Sequence, residues 1–356
     1  MRYLMLLSVM TMVFIGTAFG QNGSIQVGGV NRSYILHVPS SGLPENPSFV
    51  ISLHGLNNNA TIQRSWSGFD NVADKEKFIV VYPEAINMSW DLSGIKDVDF
   101  IAALIDTMYA RYHIDRKRVY ATGMSMGGMF SYTLACKAAD KIAAIGPGCG
   151  YPMGGLGNCS PSRPVPTFHV HGEADTFVSY KNLLPIFAAW VKLNGCPDTP
   201  VVTKPYPADN PNSKATKKYY GPCRENSEVI LVSVAGMAHD YATASKNFGI
   251  IESEEFWKFF KNHSLGATGI SHPAMSSRAE QRFSAGYYAG KIRIQSAREI
   301  RSVRIFDIQG KAILLWKAGA GSIRSIDLPV GRRAGGIYVL RVLNIEKESV
   351  QRLAIP

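Results

Sequence analysis

The chain has 356 residues, 46% of them hydrophobic and 18% charged, enough for one large α/β domain plus a smaller one. Beyond residue 20 no stretch is apolar for long enough to span a bilayer. The net charge of +11 is lopsided: residues 278–356 carry 15 Lys and Arg against 6 Asp and Glu, while residues 22–277 are nearly balanced.

Residues 1–20 read as a signal peptide: Arg2 supplies the positive start, residues 3–15 are almost wholly apolar, and Ala18-Phe19-Gly20 is a small-x-small cleavage site. The mature chain is expected to be exported, which argues against a nucleic-acid partner for the basic segment. An anionic cell surface or an acidic polysaccharide suits it better. Residues 24–38 alternate around Gly28-Gly29 and predict a hairpin. Residues 49–53 and 78–82 are continuous apolar runs, as expected of strands buried on both faces. Residues 99–112 have helical periodicity, with Asp97 and Asp99 suited to the helix start. A strand over 118–122 and a helix over 128–135 flank a glycine-rich turn. Strands over 142–145, 165–170 and 228–234 and helices over 180–193 and 253–261 complete a domain spanning 22–263. Strands alternating with helices predict a mostly parallel sheet covered on both faces. Residues 264–282, small and polar, read as a linker. Residues 283–356 predict a small antiparallel β domain, with strands over 287–294, 300–308, 312–317, 322–328, 336–343 and 349–355.

Five cysteines suit an oxidising compartment. Cys196 and Cys223 flank a polar, Pro-rich stretch that a disulfide would tie down. Cys136–Cys159 and Cys149–Cys159 are competing pairings. No cysteine spacing matches a zinc site, and neither metal nor cofactor is expected.

The chemistry centres on Gly123-Met124-Ser125-Met126-Gly127, a G-x-S-x-G between a strand and a helix. Glycines that permit a sharp turn and close packing leave the serine hydroxyl exposed, so Ser125 is the candidate nucleophile. A serine needs a base, and the base needs an orienting acid. His239 follows the 228–234 strand in a glycine-containing loop and is the candidate base. His263 and His272 read as solvated. Asp175 follows a strand and a glycine turn and is the candidate acid, with Glu173 its rival. Asp198 and Asp209 read as turn residues, and Asp240 is expected to point away from its neighbour His239. The oxyanion donors would be the amides of Met126 and of Leu56 in the loop His54-Gly55-Leu56. Trp90 and His54 are the candidate substrate contacts. The alternatives are a packed core tryptophan and a structural hydrogen-bonding histidine.

Leu53-His54-Gly55, Ser89-Trp90-Asp91, Val98-Asp99-Phe100-Ile101, Arg116–Tyr120, Gly123–Gly128, Pro164-Val165-Pro166, His171-Gly172 with Asp175, and His239 occur in order. Over roughly residues 25–262 the chain resembles the secreted esterases of carbohydrate esterase family 1 and the related polyhydroxybutyrate depolymerase-like family. The resemblance implies an α/β-hydrolase fold, a Ser125–Asp175–His239 triad, no metal, and hydrolysis of feruloyl or acetyl esters on plant xylan. Met126 stands where many relatives have Asn. The patterns Val303–Gly310, Ile326-Asp327-Leu328-Pro329 and Gly336–Val342 resemble, more weakly, C-terminal sorting domains of the type IX secretion system. That implies secretion machinery as a partner, although the segment is unusually basic for such a domain. A polyester depolymerase and a non-catalytic polysaccharide- or surface-binding protein are the competing readings.

Overall fold

The computed structural model describes residues 21–266 and, between 283 and 355, seven strands with a few flanking residues. The expected leader and most of the expected linker lie outside the described residues. The chain divides into two compact units, Met1–His272 and Pro273–Pro356. Among the described residues no helix is long and apolar enough to cross a membrane.

The first unit runs β1 (Gln21–Val27), β2 (Val30–His37), β3 (Phe49–Leu53), α1 (Ala60–Ser67), α2 (Phe69–Glu76), β4 (Ile79–Pro83), α3 (Lys96–Tyr112), β5 (Val119–Met124), α4 (Met126–Lys137), β6 (Ala144–Gly148), β7 (Thr167–Gly172), α5 (Tyr180–Leu193), β8 (Val201–Tyr206), β9 (Ala215–Tyr220), β10 (Val229–Val234) and α6 (Glu252–Phe260). Its ten strands form one sheet in the order β1-β2-β4-β3-β5-β6-β7-β10-β9-β8. The central six are parallel, and antiparallel hairpins extend both edges. This is an α/β-hydrolase fold, as the resemblance implies.

The central strands are apolar throughout because both faces are covered. In β3, Phe49, Ile51 and Leu53 join a core that includes residues of α3, α4 and α5, while Val50 joins the opposite core with residues of α2 and α6. Each large apolar side chain buried there stabilises the fold by about 1.5–3 kcal/mol. Aromatic rings fill the second core: Phe78 stacks on Trp257 at 4.0 Å, and Tyr120 on Phe260 at 4.9 Å.

Two sequence expectations change, and two helices have no expectation before them. Helices α1 and α2 have one apolar turn or less: α1 buries Ala60, Gln63 and Ser67, which leaves no apolar stripe to read. The stretch between Cys196 and Cys223, read as a polar loop, holds the edge hairpin β8–β9. Pro205 within β8 hides the strand in the sequence, yet an edge strand tolerates proline. Residues 287–294, read as one strand, span two, because β11 (Phe283–Tyr288) pairs antiparallel with β12 (Lys291–Ser296). The apolar alternation continues across both strands and masks the break.

The second unit adds β13 (Ile300–Asp307), β14 (Ala312–Lys317), β15 (Ser325–Pro329), β16 (Gly336–Asn344) and β17 (Glu348–Ile355). Its two antiparallel sheets, β11-β12-β15 and β14-β13-β16-β17, share one apolar cluster that includes Ile292, Ile294, Val303, Ile305 and Leu340. Disulfides join Cys136 to Cys159 and Cys196 to Cys223, and Cys149 is a buried free thiol. The pairing that the sequence left open is therefore Cys136–Cys159.

Parallel strands bring all their C-terminal ends to one edge of the sheet, where open α/β folds bind ligands. The segments leaving that edge carry His54–Leu56 after β3, Trp90 after β4, Ser125 after β5, Cys149 after β6, Asp175 after β7 and His239 after β10.

Candidate active site

Ser125 caps α4 with φ 55° and ψ −120°, a conformation that an L residue adopts only at a cost of about 1–3 kcal/mol. Glycine permissiveness is expected here, but it is the serine itself that takes the strained turn. The flanking glycines serve close approach instead. A Cβ on Gly123 would lie 2.5 Å from the Leu53 carbonyl oxygen, and one on Gly127 would lie 2.1 Å from it. Ser125 N donates to Gly148 O at 2.8 Å, and Met129 N donates to Ser125 O at 2.9 Å, so both sides of the turn are held.

Asp175 is buried, and its Oδ2 lies 2.8 Å from His239 Nδ1. Oδ1 accepts the N–H groups of Phe177 at 3.0 Å and Val178 at 2.8 Å. The His239 side chain keeps 20% of its surface exposed, and because a carboxylate only accepts, Nδ1 carries the hydrogen and Nε2 is the basic nitrogen. Glu173 is exposed, and its Oε1 accepts from Ser233 Oγ at 2.7 Å, so the acid paired with His239 is Asp175. Asp240 pairs with Lys246, away from the neighbouring histidine.

Behind Asp175 runs a buried polar chain that the sequence reading missed. His169 and His171 are two residues apart on β7 and so share one face. His171 Nε2 contacts Val178 O at 2.8 Å and Asp175 Oδ2 at 3.3 Å. A carbonyl only accepts, so Nε2 carries the hydrogen and Nδ1 is the acceptor. His169 Nε2–H then donates to His171 Nδ1 at 3.0 Å, and His169 Nδ1 accepts from the Tyr132 hydroxyl at 3.0 Å. Burial pushes the pKa of both histidines down, that of His169 far down, so both stay neutral at pH 7. The His171 N–H thus goes to Val178 O, and the neutral ring lies 3.3 Å behind the acid without adding a cation there.

Trp90 and His54 are corrected. Trp90 is 2% exposed, stacks on Phe130 at 4.9 Å, and donates its Nε1–H to His54 O at 2.8 Å. His54 is fully buried; its Nδ1 donates to Gly55 O at 2.8 Å, and its Nε2 accepts from Ala85 N at 3.0 Å. Neither touches the surface, so both are structural: the ring packing that hides Trp90 comes from α4, distant in sequence. Their bonds hold the loop that carries Gly55, whose Cβ position would lie 3.5 Å from Ser125 Cβ. Neither the Leu56 nor the Met126 N–H has a hydrogen-bond acceptor among the described residues. Asp97, expected at a helix start, is buried as well. It binds Arg32 Nη2 at 2.6 Å and the Asp91 N–H at 2.6 Å, which fixes the segment after Trp90.

Glu252 closes the other flank. Its Oε2 accepts from Ala242 N at 3.0 Å, and its N–H donates to Ala242 O at 2.8 Å, clasping the loop that follows His239. Burial, with the Asp240 charge adding to it, raises its pKa to about 8. Among the described residues one group has metal-ligand proximity: Cys149, Asp175 and His239, with donor atoms within 4.8 Å. The Asp175–His239 contact already occupies two of these groups. Burial raises the Cys149 thiol pKa, and Sγ donates to Asp240 O at 3.2 Å. The set behaves as a hydrogen-bonded pair beside a thiol rather than as a metal cage.

Replacing Trp90 with Phe keeps the stacking and removes the bond to His54. Stability should fall by about 1 kcal/mol, and kcat should fall with KM unchanged; a rise in KM alone would make Trp90 a substrate contact after all. For His171→Leu, which removes the N–H that holds Val178 O beside the acid, kcat should drop about 10-fold, the scale of one lost neutral hydrogen bond. His171→Gln, which keeps an N–H donor, should recover most of that loss. Glu252 has a folded-state pKa above its unfolded value, so its contribution to stability is complete below about pH 4.5 and is lost as pH rises through about 8. Over that window Glu252→Gln should flatten the pH dependence of thermal unfolding, by up to about 1.4 kcal/mol per pH unit.

Residues 32–162 match the family model for the esterase PHB depolymerases. Over 234 residues the chain is 35% identical to a bifunctional acetylxylan esterase/xylanase of Neocallimastix patriciarum, covering 65% of this chain and 33% of that one. It is 24% identical to feruloyl esterase D of Neurospora crassa over 258 residues, 68% of this chain and 85% of that one. The chain thus spans a third of the bifunctional relative, and about half (49%) of a putative esterase of Nocardia uniformis. The structure of an acetyl xylan esterase from Aspergillus awamori superposes with a TM-score of 0.53 at 16% identity, covering 68% of this chain and 99% of that one, which speaks to the fold. The first unit therefore has the α/β-hydrolase fold, and the chain is similar in sequence to the PHB depolymerase esterases over residues 32–162 and to acetylxylan and feruloyl esterases.

Proposed function

We propose that the first unit is a serine carboxylic-ester hydrolase that removes feruloyl or acetyl groups from plant cell-wall xylan. The observation that carries this reading is the 2.8 Å contact between Asp175 Oδ2 and His239 Nδ1, at the sheet edge that also bears the strained Ser125. The xylan substrate rests on the names of the relatives. Export rests on the two disulfides, which persist in oxidising surroundings.

In this mechanism Ser125 Oγ attacks the ester carbonyl while His239 Nε2 takes its proton. Asp175 holds the imidazole in the tautomer that makes Nε2 basic and stabilises the imidazolium that forms. The amides of Met126 and Leu56 receive the oxyanion, with Met126 at the positive end of α4. Collapse breaks the ester C–O bond, and His239 returns the proton to the departing sugar oxygen. Water then attacks the acyl-serine with His239 again as base, releasing the acid and free Ser125. The basic second unit fits a sorting or surface-binding role, for which its positive charge favours an anionic partner.

Initial rates on methyl ferulate and on a short acetyl ester test the reading. Ser125→Ala should abolish both activities and leave the thermal midpoint close to wild type; surviving hydrolysis would overturn the assignment. Asp175→Asn should cost about 10⁴-fold in kcat, and Glu173→Gln should cost little. The reverse pattern would make Glu173 the acid.

A further inference from the structure

Phe177 is 76% exposed, in a unit whose large aromatic rings are otherwise mostly packed inside. Its ring centroid lies 5.1 Å from that of His239, at an interplanar angle of 48°. The ring is not on a free tip: Phe177 N–H donates to Asp175 Oδ1 at 3.0 Å, and the next N–H, from Val178, donates to the same oxygen. Withdrawing this segment would strip the acid of two hydrogen bonds, so an apolar ring is held in water beside the candidate base.

The chemistry fixes what meets that ring. His239 has to hand its proton to the oxygen that leaves, so the alcohol half of the ester lies against the imidazole. The carbonyl oxygen turns the other way, toward the amides of Met126 and Leu56. A group flanking His239 therefore faces the alcohol rather than the acyl chain. On xylan the alcohol is a sugar, whose ring presents a face of C–H groups that packs on an aromatic plane. We propose that Phe177 is the platform for the sugar of the leaving alcohol and sets the preference of the enzyme for sugar esters over simple alkyl esters. This inference rests on the ester-hydrolysis reading given above.

The test holds the acyl group constant and varies the alcohol, using the full chain, with acetylated xylo-oligosaccharides against ethyl acetate. In Phe177→Ala the ratio of kcat/KM for the sugar ester to that for ethyl acetate should fall about tenfold, the scale of one lost ring stack. Phe177→Trp should keep that ratio near the wild-type value. If Phe177→Ala lowers both substrates equally, the ring only shields the Asp175–His239 bond and the proposal is overturned. A selective loss on methyl ferulate relative to ethyl acetate, with the sugar-ester ratio kept, would put the ring on the acyl side and overturn it too. Wild-type enzyme that cleaves ethyl acetate through Ser125 but not the sugar ester would refute the xylan reading before any variant is made, and this inference with it.

Discussion

The backbone of Ser125 is held where an L residue does not rest on its own, and the surroundings of the site are shaped to hold it there. The strand side is tied by Ser125 N to Gly148 O and the helix side by Met129 N to Ser125 O. Three neighbours come so close that a Cβ would collide with backbone: Gly123 and Gly127 against Leu53 O, and Gly150 against Ser125 O at 1.9 Å. Strain of this kind persists only when packing over-determines it. The result is a serine lifted above the end of β5, with a helix N-terminus directly behind it.

Around that point the buried polar groups are arranged as supports. On one side Trp90 and His54 tie the β3 loop to the segment after β4, and the Arg32–Asp97 pair anchors that segment in turn. On the other, Tyr132, His169 and His171 form a directed chain of donors that ends at Val178 O, beside Asp175. Glu252 clasps the His239 loop from beneath. A buried polar group costs free energy unless it is bonded, so each of these side chains is fixed by the partner it must keep. The loops at the sheet edge inherit that rigidity.

Much of this was legible in one dimension. Continuous apolar runs announced β3 and β4, and the helical spacing of Phe100, Ile101, Leu104, Ile105 and Met108 announced α3. The turn chemistry around Ser125, and the glycine-marked loops of Asp175 and His239, put three chemical types in the order that the fold requires. What stayed hidden had weak local signal. Helix α1 buries Ala60, Gln63 and Ser67, which do not advertise a core face. Strand β8 contains a proline that only its edge position excuses. Trp90 was ambiguous because loop residues next to a site are as readily packed as exposed, and its sequence neighbours do not show that Phe130 covers it. The alternation His169-Val170-His171 was visible as a pattern, but its partners Tyr132 and Val178 lie on α4 and in the segment before α5.

The sequence by itself determined the alternation of strands and helices, the parallel core, the strand-turn-helix at Ser125, and the chain order of serine, acid and histidine, because each follows from local pattern and turn chemistry. The tertiary structure decided which acid meets His239, since Asp175 and Glu173 differ only in where the β7 turn aims them. It also decided that Cys136 pairs with Cys159, that His54 and Trp90 are buried struts, and that Phe177 stands in water beside His239. These outcomes depend on atoms brought together from distant parts of the chain, and distance in space is what a local pattern does not encode.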